Sequence, residues 1–197
     1  MIMIPGILIS ALTFPGVIVH ELAHQLFCRM MHVPVFEVKY FQAANPCGYV
    51  LHERSEKPFT NFMIAIGPFI FNTILGALIL LPVSIEIIKF EVLSPFVHGE
   101  WGRALEYFPT LLAAWLGISI LMHAFPSSGD AGTLVENILR NKKVNIFVKI
   151  LVAPIIGFIY LGSWGSVVWL DFIYAIGLAA GLPAIIAIFL YAWQCTI

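Results

Sequence analysis

Four windows of this chain, residues 14–32, 59–83, 107–125 and 146–193, are long, apolar and carry no more than two charged side chains each. About twenty apolar residues in helical form cross the hydrocarbon of a bilayer. Inside it every backbone N–H and C=O must find a partner within the protein, which restricts such windows to helices. The last window is too long for one crossing. Gly162-Ser163-Trp164-Gly165 interrupts it with turn residues and an interfacial type of Trp, which predicts spans at 146–162 and 166–192. Residues 1–12 are too short to cross alone; they either extend the first helix through a kink at Pro15 or form a short sixth span. The expected fold is therefore an α-helical polytopic membrane protein with five or six transmembrane helices.

Composition agrees with that solvent. The chain is 60% apolar and 11% charged, with a mean hydropathy of +0.96, more apolar surface than a water-soluble fold of 197 residues can hide. The formal net charge of −1 supplies no basic field and argues against nucleic acid as a partner. Cys28, Cys47 and Cys195 are widely spaced and form no CxxC pair, so they read as small apolar residues. Residues 1–12 lack a basic n-region and a small-residue cleavage site, and are expected to belong to the membrane-embedded chain.

Charge also orients the spans. Placing 33–58 and 126–145 on one side gathers Arg29, Lys39, Arg54, Lys57, Arg140, Lys142, Lys143 and Lys149 there, against Lys89 and Arg103 opposite. The positive-inside rule makes the first side cytoplasmic. Within it, the alternation of Val35–Phe41 and Tyr49–Glu53 around Asn45-Pro46-Cys47-Gly48 predicts a small β-hairpin at the cytoplasmic face. Segment 84–106 reads as an extracytoplasmic loop, with room for an interfacial helix. No repeat or soluble domain interrupts the chain, so 1–197 is one membrane-embedded domain with a core at 14–132 and C-terminal spans over 146–192.

His20-Glu21-Leu22-Ala23-His24 lies in the first long window. On a helix, side chains four apart share a face, so both imidazoles can reach one metal ion with Glu21 beside it. Two neutral imidazoles leave zinc positive enough to acidify a water, and the adjacent carboxylate can take the proton. Such a cluster in an apolar span is costly and marks a functional site. A catalytic zinc needs a third protein ligand. The chain has two aspartates, and Asp130 follows a Pro- and Gly-rich, non-helical approach after the 107–125 span, whereas Asp171 has no such setting. Two other readings stand beside it: Asp130 as the cap of a helix from Ala131 to Leu139, and His123 as the third ligand. In the 59–83 span, Gly67 permits close approach, Pro68 frees a backbone carbonyl, and Asn72 brings an amide to about the depth of His24. That amide could bind substrate backbone or a developing oxyanion, or simply pack between helices.

Taken together, the His20–His24 motif in an apolar helix, the Gly67-Pro68 to Asn72 element and an Asp after a Pro-containing segment resemble the site-2 protease family of intramembrane zinc metalloproteases. The resemblance covers residues 14–132. It implies one zinc per chain on His20, His24 and Asp130, Glu21 as the base that activates water, and single-span membrane proteins as substrates. It also places Gly67, Pro68 and Asn72 in the active-site region. The third motif departs from the family's usual Asn, prolines and Leu-Asp-Gly: here it is Pro126-Ser127-Ser128-Gly129-Asp130-Ala131-Gly132. The expected activity is hydrolysis of peptide bonds within the membrane; the hairpin either holds substrate extended along its edge or is a plain structural hairpin. The alternatives are a non-enzymatic membrane protein that binds or transports metal and a protease-like scaffold without activity.

Overall fold

The structure is a computed structural model and describes residues 6–88 and 94–194; Lys89 and Cys195 lie outside them. Its helices are α1 (Gly6–Leu12), α2 (Phe14–Met30), α3 (Pro58–Ile88), α4 (Ser94–Val97), α5 (Trp101–Glu106), α6 (Phe108–Met122), α7 (Ser128–Leu134), α8 (Ile146–Gly165) and α9 (Leu170–Gln194). A π-helical turn, Val135–Leu139, continues α7, and the strands β1 (Val35–Lys39) and β2 (Tyr49–His52) pair antiparallel between α2 and α3.

Among the described residues, three helices are long and apolar enough to cross a membrane: Pro58–Ser84 within α3, α8 and α9. The pair α1 and α2 makes a fourth if counted as one broken span, and α6 is apolar but shorter, at 15 residues. The chain is thus mostly helical, with three or four candidate spans. The break between α1 and α2 is a bend of 87° at Thr13, whose hydroxyl donates to the Ile9 carbonyl. Pro15 explains the break: it lacks the N–H that would continue the ladder, and its ring crowds the preceding turn.

Close approach of the central helices depends on missing side chains. A Cβ on Gly76 would lie 2.6 Å from Leu121 Cγ, and one on Gly117 would lie 2.5 Å from Leu80 Cγ, so α3 and α6 mesh across this pair. A Cβ on Gly67 would lie 2.5 Å from the Phe27 ring, so the same helix packs on α2. Buried Phe27, Cys28, Val33 and Ile64 fill the α2–α3 contact; Ala65, Ile66, Leu134, Ile138, Ile156 and Ile159 join α3, α7 and α8. The result places α2 and α6 against α3.

The hairpin differs in reach from the sequence expectation. Its strands pair Lys39 with Tyr49 and Val38 with Val50, with an irregularity between Val35 and Glu37. Their connecting loop then runs back along α2: Tyr40 Oη donates to Gln25 Oε1, and the Phe41 ring stands 6.1 Å from that of Phe14. Gln25 to Phe14 is about 16 Å of helix at the usual rise. Apolar Phe41 meets an apolar helix start, which draws the loop alongside the helix instead of leaving it beyond the end.

Candidate metal centre

α2 supplies both imidazoles on one face, as the four-residue spacing requires. His20 and His24 are 8% and 6% exposed, and their ring centroids are 4.9 Å apart. Asp130 comes from 106 positions beyond His24 and sets its Oδ2 3.4 Å from His24 Nε2. Ligand-type atoms of His20, His24 and Asp130 all lie within 4.8 Å of one another. Two donors bound tetrahedrally at about 2.1 Å stand roughly 3.4 Å apart, so the His24–Asp130 edge fits one ion and small rotations bring the rest together. Two buried imidazoles and a half-buried carboxylate are a donor set suited to a divalent transition metal.

The Asp130 position has its own local cause. Pro126 precedes Ser127, which is extended at the N-cap of α7, and the Ser127 hydroxyl accepts from the Asp130 N–H at 3.2 Å. In return Asp130 Oδ2 accepts from the Ser127 N–H at 3.2 Å and from its hydroxyl at 2.6 Å. This reciprocal capping box fixes the carboxylate at the helix start. The capping and ligand readings of Asp130 therefore coexist: one carboxylate caps α7 and faces His24. The helix starts at Ser128, three residues before the expected Ala131, and turns π-helical at Val135.

An outer contact aims the His20 ring. His20 Nδ1 lies 2.7 Å from the His123 carbonyl, so it is the protonated nitrogen and Nε2 is left with its lone pair for a metal. His123 does not join the ligand group; its own ring reaches the Ser119 carbonyl at 3.0 Å. Asp171 sits at the start of α9, where Oδ1 accepts from the Phe172 N–H.

Asn72 is fully buried, and its side-chain nitrogen donates to the carbonyls of His123 at 2.9 Å and Ile120 at 3.3 Å. Pro68 is buried within α3, and Gly67 is the contact with Phe27. Glu21 is 8% exposed and stands outside the ligand group, beside it. Over it lies Gly48: a Cβ there would be 2.7 Å from Glu21 Cγ and 3.1 Å from Oε1. Sequence reasoning saw Gly48 only as a turn residue and Ser127 only as loop; the Ser127-to-Asp130 spacing was the available signal for the cap.

No family model, curated protein or solved structure matches the chain.

Proposed function

We propose that this chain is an intramembrane zinc metalloprotease that hydrolyses peptide bonds of single-span membrane proteins. The observation that carries the proposal is the convergence of His20, His24 and Asp130 on one point, with Glu21 beside that group and not part of it. A purely structural metal site closes its coordination shell with protein ligands, whereas three ligands leave a position for water or substrate.

His20, His24 and Asp130 would hold the metal. Zinc bound there would lower the pKa of a water and polarise the scissile carbonyl. Glu21 takes the proton from the attacking water and returns it to the leaving amine. Burial of both histidines restricts bulk water around them, which strengthens their charge interactions with Asp130. A peptide bond within a helix is shielded by its own hydrogen bonds, so substrate unwinds before attack. The free edges of the β1–β2 pair offer backbone groups to an extended segment. The proposal includes five or six spans in all, with the broken α1–α2 pair and the short α6 also crossing. It places the loops 33–58 and 126–145, and the site near them, toward the cytoplasm.

The test compares purified wild type and Glu21→Gln in liposomes for metal content and for cleavage of a panel of single-span proteins. Wild type is expected to hold about one zinc and cut. The variant is expected to hold the same zinc and cut about 10²–10⁴-fold more slowly. Absence of stoichiometric metal in wild type overturns the centre. Metal without cleavage in both favours a transporter or an inactive scaffold.

A further inference from the structure

The support of His20 traces to one face of α3. Ile64, Pro68 and Asn72 are spaced by four, so they stack along the helix side turned to α2 and α6. In a regular helix the N–H of residue 68 would occupy the carbonyl of residue 64. Proline has no N–H, so the Ile64 carbonyl has no partner within the helix at that turn.

One turn further on, Asn72 acts at the end of α6. The last carbonyls of a helix have no partners within it. Here the His123 carbonyl accepts from the Asn72 side-chain N–H at 2.9 Å and from His20 Nδ1–H at 2.7 Å. Two carbonyls face the Asn72 side chain, so its NH2 group, with two hydrogens, is the end that fits them. The other end, Oδ1, is buried without a hydrogen-bond partner. A fully buried amide with one end unsatisfied is a poor packing residue. Its donors are what the position uses.

We propose that Asn72 is a positioning residue of the metal centre, acting by fixing the His123 carbonyl that orients His20. This rests on the metal-centre reading above, and it gives Asn72 a role toward a ligand instead of toward substrate. With the carbonyl held, His20 keeps its proton on Nδ1 and presents Nε2. Without it, the ring is free to rotate and to exchange tautomers.

The experiment measures cobalt(II) affinity by chelator competition, the visible cobalt spectrum and the metal-free unfolding midpoint of the full chain in detergent. The variants are Asn72→Leu, Asn72→Ala and Thr73→Val, the last removing the 2.8 Å contact of α3 with the Tyr174 hydroxyl. Asn72→Leu and Asn72→Ala are each expected to weaken cobalt binding about 10–100-fold and to alter its spectrum, the usual scale for an outer-shell contact. Thr73→Val is expected to bind as wild type does. In a His20→Ala background, Asn72→Leu should cost no further affinity, because its effect passes through His20. Wild-type affinity and spectrum in both Asn72→Leu and Asn72→Ala overturn the inference, as does an equal loss in Thr73→Val. If Asn72→Leu does not fold, Asn72→Ala decides, since it removes the donors without adding bulk. A wild type that binds no cobalt overturns the centre itself, a result distinct from variants that bind as wild type does.

Discussion

At Gly48 a single methyl group would change how the hairpin loop sits on the centre. It would meet Glu21 Cγ at 2.7 Å and the Tyr40 carbonyl at 3.1 Å, so either the loop or the Glu21 stem must shift. Neither contact involves His20, His24 or Asp130. Gly48→Ala is therefore expected to keep metal content and to lower cleavage by about 10²-fold, the scale of an ångström's misplacement of a reacting group. Zinc analysis beside a cleavage assay checks this, and loss of zinc would show that the loop supports the ligands. Some of this site was legible in the chain because its signal is local. His20 and His24 declare a shared face by spacing alone, and Asp130 stands out because the only other aspartate lies in an apolar span. Gly48 and Asn72 could not be read in the same way: the contacts that define them come from Glu21 and His123, distant in sequence.

Among the elements, α8 and α9 act on the centre through the segment that precedes α7. Phe125 is buried against Phe69 of α3, Phe158 of α8 and Tyr174 of α9, with ring centroids 5.5, 5.6 and 5.0 Å away. Five residues later the same segment delivers Asp130. Gly162 of α8 makes room for the Phe125 ring, which any Cβ there would overlap. Gly162→Ala is expected to cost about 1–3 kcal/mol of stability through overpacking and to weaken metal binding by moving the base of α7. Gly157→Ala, on the same helix but facing open space, should change neither. Thermal unfolding and metal titration of the two variants make the comparison; equal effects would show that α8 matters only as a helix. The sequence expectation took Gly162–Gly165 as a turn, yet α8 continues to Gly165 and the chain breaks at Ser166–Val168, with Trp169 left-handed at φ 63°. Glycine is ambiguous in this respect, since a residue that permits a turn also permits a ring to approach a helix. A non-glycine residue in the left-handed region leaves no compositional mark.

For the whole molecule, the arrangement in a membrane follows from which helices face outward and where the cations lie. Only 17% of the apolar window of α8 and 6% of that of α9 is buried, as expected of helices that would face lipid. The window in α3 is 44% buried, as expected for the helix that contacts both α2 and α6. If α3 crosses from the Lys57 side, Gly99 lies across the membrane from Lys57, and α6 brings the chain back before Lys142. The positive-inside rule then assigns Lys57 and Lys142 to the cytoplasm. All three positions are exposed, so each accepts a reporter. In a background with Cys28, Cys47 and Cys195 changed to alanine, single cysteines at 57 and 142 are expected to resist a membrane-impermeant thiol reagent added outside intact cells, while one at 99 reacts. Labelling of 142 together with 99 would mean that α6 does not cross. The Asp130 segment would then reach His24 from the other side, and the placement of the site near the cytoplasmic face would fall with it.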